Sequence, residues 1–241
     1  MELKEGIIIK TINYKEDSKL VYMVCEDGLN SVEAKGASKV NSHTRLYSNL
    51  LTNVAFSSKS HFLHSAKVLN NYTKIKSNLN KLNLVLNILE LTYASIEHIT
   101  NFKVFYEFLK SILNLIEEEN DDEYYYSIFH IKLLYLLGIQ PILNKCVKCE
   151  TKENLVGFVL SDGGMKCGNC TNQSDLLISD KPFLETIYKM YYLKLEVLKK
   201  NKFDFDFYKL KDFIDDYYRE FLSYSSKSDK IFKQIHNKIR N

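Results

Sequence analysis

Four cysteines in the second half of the chain have the type and spacing of a metal site. Cys146 and Cys149 form one Cys-x2-Cys pair, Cys167 and Cys170 form another, and 17 residues separate the pairs. Two thiolates on each short knuckle can reach one tetrahedral metal, and this spacing is typical of zinc sites with four thiolate ligands. Because four protein ligands leave no position for water, the pattern predicts one structural zinc ion. A redox dithiol and a chance arrangement are the alternatives.

The residues between the two pairs can form the hairpin that such a site needs. Residues 155–160 are predicted to form a strand and residues 161–164, Ser-Asp-Gly-Gly, the turn, as in a zinc ribbon. Cys25 lies in an apolar strand and is predicted to belong to a core. His61 and His64 would point to opposite faces of a strand, so we interpret them as polar strand residues. No phosphate loop, nucleophile elbow or carboxylate pair is recognisable, so the sequence predicts no enzymatic activity.

The apolar pattern changes its period at about residue 72. Before that point, short β-branched and alternating runs predict about five strands, which suit a small closed barrel without exposed edges. The strands are predicted at residues 6–12, 20–25, 31–35, 46–56 and 61–69. After that point, helical periodicity predicts helices near residues 82–99, 104–116, 124–137, 180–198, 207–224 and 231–240. Gly138 is the expected cap of the third helix, and Pro182 suits the first turn of the fourth.

Positive charge is concentrated in one part of the chain. The protein of 241 residues has a net charge of +3, but residues 34–89 contain eight cations and no acid. Such a one-signed stretch favours a polyanionic partner, and a solvated basic face is the alternative. A second candidate basic patch lies at the C-terminus, formed by Lys227, Lys230, Lys233, Lys238 and Arg240, and a plain solvated helix is the alternative.

The sequence also predicts a compartment. No apolar run approaches the roughly 20 residues that span a bilayer, and the N-terminal residues do not have the pattern of a secretory signal. We therefore expect a cytoplasmic protein, whose cysteines stay reduced and available to a metal.

Three strings resemble the RecO family of bacterial DNA repair proteins. Residues 6–10, Gly-Ile-Ile-Ile-Lys, and residues 14–18, Tyr-Lys-Glu-Asp-Ser, resemble the opening of that family. Residues 32–39, Val-Glu-Ala-Lys-Gly-Ala-Ser-Lys, resemble a strand and turn of its barrel. The best match is residues 130–141, His-Ile-Lys-Leu-Leu-Tyr-Leu-Leu-Gly-Ile-Gln-Pro, which leads directly into the first cysteine pair.

The resemblance implies an α+β protein with an OB-fold over residues 1–80 and a helical domain over residues 81–241. It places a zinc module within the helical domain, at about residues 143–175. It implies a recombination mediator that binds single- and double-stranded DNA, anneals complementary strands and assists RecA loading at the nucleoid. The implied protein partners are RecR, single-strand-binding protein and, indirectly, RecA. A zinc-ribbon RNA-binding or ribosome-associated factor is the alternative.

On this basis five cations of the barrel are predicted to neutralise DNA phosphates. They are Lys10, Lys35, Lys39, Arg45 and Lys59.

Overall fold

The structure is a computed structural model that describes residues 3–227. It divides the chain into two compact units, and within the described range the first holds residues 3–122 with Lys227, and the second holds Glu123–Ser226. The predicted division at about residue 80 stays a prediction. The helix predicted at residues 231–240 and most of the C-terminal basic patch lie outside the described residues.

Five strands of the first unit form a closed barrel. They are β1 (Lys4–Tyr14), β2 (Ser18–Cys25), β3 (Gly28–Ala34), β4 (Asn53–Lys59) and β5 (Phe62–Asn70). Their order around the barrel is β1-β2-β3-β5-β4, and it closes where β3 meets β5 in parallel, with Glu33 opposite Phe62. Inward-facing apolar side chains fill the interior, among them Val21, Met23 and Phe56. Cys25 belongs to this core with an exposed fraction of 2%, as predicted.

The predicted strand over residues 46–56 is wrong in its first part. Turns and a short 3-10 helix, His43–Arg45, occupy this region, and β4 begins only at Asn53. Leu46 is 62% exposed, so the apolar run there does not mark a buried strand. The Leu51 N–H donates to the Ile8 carbonyl at 2.9 Å, and this bond brings the chain back to β1 before the strand starts.

Three helices follow the barrel in the same unit: α1 (Thr73–Ser77), α2 (Leu79–Ala94) and α3 (Phe102–Glu118). The buried Glu117 carboxylate accepts the backbone N–H groups of Lys74 and Ile75 at 3.0 and 2.9 Å, which satisfies the start of α1. The Lys81 ammonium donates to the Ile116 and Glu119 carbonyls at the end of α3, at 2.7 and 2.5 Å. These two side chains therefore fasten α1 and α2 to the C-terminal turn of α3.

Replacing Lys81 with methionine is expected to destabilise the first unit. Lys81 is 6% exposed and also pairs with Asp122 at 3.5 Å, so its loss leaves an acid and two carbonyls without their donor. A lost partner of this kind costs about 3 kcal/mol of unfolding free energy. Urea denaturation measures the change, and Lys103→Met, at an exposed position of α3, is the control. Equal midpoints for both variants would contradict this role.

The second unit contains four more helices and a small sheet. The helices are α4 (Asp122–Leu136, which begins at the unit boundary), α5 (Lys181–Tyr192), α6 (Leu195–Lys200) and α7 (Phe207–Leu222). The strands are β6 (Leu155–Val159), β7 (Gly164–Cys167) and β8 (Leu177–Ile178), in the order β7-β6-β8. Gly138 follows α4 with φ +73°, and Pro182 lies in the first turn of α5, as predicted. Within residues 3–227, no helix has the length and apolarity needed to cross a bilayer.

The predicted helix over residues 180–198 is two helices. Leu193 and Lys194 are extended, with ψ 142° and 152°, which ends α5 and starts α6. The Lys132 ammonium donates to the Tyr191 and Leu193 carbonyls at 3.2 and 2.6 Å. This donor from α4 satisfies carbonyls that the end of α5 leaves free, and therefore stabilises the break.

A buried histidine lies in the aromatic core of the second unit. His130 is 2% exposed, and neither ring nitrogen has a hydrogen-bond partner among the described residues. Its ring packs against Tyr126, with centroids 4.2 Å apart, and against Phe129 and Tyr218. Burial, and secondarily the charge of Lys211, hold the pKa of His130 well below its usual value.

Acid is expected to destabilise the protein through His130. In the unfolded chain this histidine takes up a proton near pH 6.5, whereas the folded state does so only at much lower pH. The unfolded state therefore binds more protons in this window, and stability falls as pH decreases below about 6.5, by up to about 1.4 kcal/mol per pH unit.

Denaturant titrations between pH 7.5 and 5 measure this effect. His130→Phe is expected to show a shallower fall in stability, and His64→Gln, at an exposed position of β5, is expected to keep the native slope. An unchanged slope in His130→Phe would contradict the assignment.

Candidate metal centre and nucleic-acid interface

The four predicted ligand cysteines come together in the second unit. The sulfur atoms of Cys146, Cys149, Cys167 and Cys170 all lie within 4.8 Å of one another. The Cys149 and Cys167 sulfurs are 3.6 Å apart, close to the roughly 3.8 Å edge of a tetrahedron with 2.3 Å metal–sulfur bonds. All four are free cysteines, so the arrangement could hold a metal ion.

Backbone hydrogen bonds shape the two knuckles. In the first, the Cys146 N–H donates to the Thr151 carbonyl at 2.7 Å, and the Glu150 N–H donates to the Cys146 carbonyl at 2.9 Å. In the second, the Cys170 N–H donates to the Cys167 carbonyl at 3.0 Å. The knuckles flank the antiparallel hairpin β6–β7, whose last residue is Cys167. We call this hairpin, with β8 and the four cysteines, the cysteine ribbon.

The turn of the hairpin depends on two glycines. A 3-10 turn, Leu160–Asp162, precedes Gly163, which has φ +68°. At Gly164 a β-carbon would lie 2.4 Å from a methyl carbon of Val147 and 2.7 Å from the Ile142 carbonyl oxygen. The predicted Ser-Asp-Gly-Gly turn is therefore required both for backbone conformation and for close packing.

The thiols of the site are electrostatically unequal. Backbone hydrogen bonds to the sulfur, above all from the Cys149 N–H, lower the pKa of Cys146 to about 6. Hydrogen bonds to the Cys149 and Cys167 sulfurs raise the pKa of Cys170 to about 12.

A buried lysine supports the cysteine ribbon, and sequence analysis did not identify it. The Lys166 ammonium, 3% exposed at the side chain, pairs with Asp162 at 2.6 Å and with Asp175 at 2.8 Å. The two carboxylates raise the pKa of Lys166, which keeps it charged. Lys166 directly precedes Cys167, so these ion pairs fix the strand that carries a metal ligand. The only signal in the sequence is the position of Lys166 between two acids, Asp162 four residues before it and Asp175 nine residues after it.

Three of the five predicted DNA contacts gather at one end of the barrel. Lys35 follows β3, Lys59 ends β4, and the strands meet there because Phe62 pairs with both Glu33 and Lys59. The Lys35 ammonium lies 3.8 Å from the centroid of the Phe62 ring. The Ser38 N–H donates to the Asp17 carbonyl at 3.0 Å, and this bond holds the neighbouring residue, Lys39, at the same end of the barrel. We call Lys35, Lys39 and Lys59 the cationic end.

The five predicted cations differ in exposure and in ion pairing. Lys35, Arg45 and Lys59 are exposed and make no ion pair with any residue of the described range. Lys39 pairs with Asp17 at 3.0 Å. Lys10 is half-buried in the middle of β1, with its ammonium 3.5 Å from the centroid of the Tyr93 ring. Their contacts with DNA stay predictions.

Three of the other four cations in the acid-free stretch have structural partners. Lys74 pairs with Glu118 at 2.8 Å, and Lys81 is buried as described above. Lys76 donates to the Asn71 side-chain oxygen at 2.7 Å, and burial lowers its pKa to about 8. The acid-free stretch therefore has fewer unpaired cations than its sequence suggests. The partners of Lys74 and Lys81 lie more than 30 positions away in the sequence, and the partner of Lys76 is neutral.

The closed five-stranded barrel, followed by helices and a four-cysteine ribbon, defines an α+β protein with an OB-like barrel. The chain belongs to the RecO family. Residues 1–77 match the family model "Recombination protein O N terminal", and residues 76–229 match "Recombination protein O C terminal".

Curated proteins named DNA repair protein RecO align with this chain over most of their length. A DNA repair protein RecO from Listeria monocytogenes serotype 4b (strain CLIP80459) is 30% identical over 175 residues, covering 70% of this chain and 69% of the relative. A DNA repair protein RecO from Bacillus subtilis (strain 168) is 26% identical over 243 aligned positions, covering 96% and 93%. The predicted family and the predicted α+β fold are confirmed, and the chain is a DNA repair protein.

Proposed function

We propose that this chain is a recombination mediator that binds single- and double-stranded DNA and anneals complementary strands. It assists RecA loading, and it makes and breaks no covalent bond itself. The observation that carries the proposal is the cationic end of the barrel, where Lys35 and Lys59 are exposed and free of ion pairs within the described residues. Membership of a family of DNA repair proteins supports DNA as the polyanion.

The proposed mechanism is charge neutralisation. Two complementary strands repel each other through their phosphates, and a shared cationic surface lowers that repulsion and brings the bases within pairing distance. Lys35, Lys59 and Arg45 contact phosphates directly. Lys39 contacts them after exchanging its ion pair with Asp17, which is exposed and therefore weak. Lys10 contributes least, because it is half-buried in the middle of β1, whereas Lys35 and Lys59 are exposed.

We propose that the cysteine ribbon holds one zinc ion. Four thiolates favour zinc among the common metals, and the closed ligand set gives the ion a structural role. Cys146, Cys149, Cys167 and Cys170 would hold it, while the ion pairs of Lys166 keep β7 in place.

The protein partners in this proposal are RecR, single-strand-binding protein and, indirectly, RecA, in the cytoplasm at the nucleoid. They follow from the family resemblance, and we assign no surface to them.

The proposed function is tested by annealing two complementary DNA strands that are coated with single-strand-binding protein, without ATP. We expect rapid annealing that slows as salt is raised, because counterion release drives binding to phosphates. A competition with structured RNA serves as the control for specificity. Absence of annealing by a folded, metal-loaded protein, together with preference for RNA, would overturn the proposal in favour of an RNA-binding factor.

A further inference from the structure

An exposed group of tyrosines lies on the helices of the second unit. Tyr135, on α4, is 64% exposed, and Tyr188 and Tyr192, on α5, are 44% and 43% exposed. The Tyr188 and Tyr192 rings are 4.6 Å apart, and the half-buried Tyr191 ring lies 4.8 Å from that of Tyr192. Burial, followed by the nearby hydroxyls of Tyr192 and Tyr135, raises the pKa of Tyr191 to about 12. We call these four residues the tyrosine cluster.

The backbone beneath the tyrosine cluster is fixed in place. The Lys132 ammonium holds the Tyr191 and Leu193 carbonyls at 3.2 and 2.6 Å, where α5 ends. The rings at Tyr188 and Tyr192 are one helical turn apart and so lie on the same face of α5. An aromatic surface that is rigid before a ligand arrives loses little entropy on binding.

The segment that contains three of the four tyrosines is rich in lysine. Residues 181–202, which include α5 and α6, contain six lysines and two acids. One of the acids, Glu185, is already paired with Lys189 at 2.8 Å. Lys194 and Lys200 are exposed and have no ion pair with a residue of the described range. Exposed rings and exposed lysines in one segment therefore complement a ligand that has flat apolar faces and negative charge.

We propose that the tyrosine cluster is a second nucleic-acid site, which stacks the unpaired bases of single-stranded DNA while Lys194 and Lys200 contact its phosphates. The choice of DNA as the ligand rests on the proposed function. Base stacking tolerates any sequence because every base offers a π face, and this suits a protein that must hold arbitrary strands. Duplex DNA hides these faces, so the cluster distinguishes single strands from duplexes, whereas the cationic end does not.

Single-stranded DNA fits this surface better than a protein partner does. Tyr188 and Tyr192 are 44% and 43% exposed, so part of each ring is accessible to a ligand. The exposed lysines Lys194 and Lys200 follow the rings in the sequence, and their charge favours an anionic ligand over an apolar protein surface.

Photocrosslinking tests the proposal on the full, metal-loaded chain. The probe is an oligothymidylate of roughly 30 nucleotides, longer than one barrel covers, with 5-bromodeoxyuridine in place of thymidine. Crosslinked peptides are identified by mass spectrometry. We expect crosslinks at Tyr188 or Tyr192 as well as on the barrel, and crosslinks confined to the barrel would overturn the second site while leaving the proposed function intact.

Substitution provides a second test. Tyr188→Leu with Tyr192→Leu keeps apolar, helix-forming residues and is expected to weaken binding of single-stranded DNA by about tenfold, with duplex binding unchanged. Tyr208→Leu, at a 75% exposed tyrosine of α7, is the matched control. Thermal unfolding checks that the variants are folded. Unchanged single-strand affinity in the double variant would overturn the proposal and leave the cluster to a protein partner, whereas failure of the wild-type chain to bind any DNA would overturn the proposed function as well.

Discussion

Replacing Cys167 with serine is expected to abolish binding of one zinc ion per chain and to lower the free energy of unfolding by about 3–5 kcal/mol. Cys167 is 2% exposed and ends β7, so its loss removes a ligand and leaves the thiols of Cys146, Cys149 and Cys170 close together. Metal content by atomic absorption and denaturant unfolding of the purified protein measure the two effects. Annealing is expected to fall only as far as the folded fraction falls, because none of the proposed DNA contacts belongs to the cysteine ribbon.

Cys25→Ala is the control for this result. Cys25 is buried in the barrel, so its truncation is expected to reduce stability while one zinc ion per chain is kept. Full zinc content in Cys167→Ser would contradict the four-cysteine site. Lost annealing in a Cys167→Ser variant of native stability would instead show that the ribbon contacts DNA.

Reversing the charge of Lys35 and Lys59 together is expected to weaken DNA binding by tenfold or more at low salt. Each lost phosphate contact removes about 0.9 from the slope of log affinity against log salt, so the double variant Lys35→Glu, Lys59→Glu should show a slope smaller by about 2. The loss is expected to be the same for all sequences, since phosphates are common to them. Fluorescence anisotropy with labelled oligonucleotides at several salt concentrations measures both quantities.

Two single variants refine this result. Lys103→Glu, at an exposed lysine of α3 outside the barrel, is expected to leave affinity and slope unchanged. Lys39→Glu is expected to have a smaller effect than Lys35→Glu, because Lys39 must first leave Asp17. Equal slopes for the wild type and the double variant would mean that the strand follows another face of the barrel.

The metal site could be predicted from the sequence because its geometry is local. Two short knuckles and a hairpin place four sulfurs together, and each piece is specified by a few neighbouring residues, such as Gly163 and the Cys-x2-Cys pairs. The closed barrel was predictable for a related reason, since β-branched runs separated by polar turns have few other ways to cover their edges. The cap at Gly138 is another local signal.

Features that depend on distant residues could not be predicted. Nothing near Lys81 or Lys74 in the sequence indicates that their partners lie at the end of α3. The pairing of Lys39 with Asp17, and the placement of Lys10 over Tyr93, likewise arise only when strands and helices pack. The interruption between α5 and α6 depends on Lys132 from α4, so the apolar pattern alone continued the helix too far. A strand of two residues, β8, is too short to give a periodic signal.

The barrel closes through its shortest strand pairing. Where β3 meets β5, one residue pair, Glu33 with Phe62, joins strands that elsewhere have long antiparallel ladders, and the Glu33 N–H bonds to the His61 carbonyl at 2.8 Å. The β3–β5 closure is therefore the least extensive strand pairing of the barrel. Lys35 and Lys59 lie on either side of it. In the proposed complex one phosphate chain contacts both lysines and so stabilises the β3–β5 closure, which would link closure to DNA affinity thermodynamically. A substitution that weakens the β3–β5 closure is then expected to lower DNA affinity even when every lysine is present.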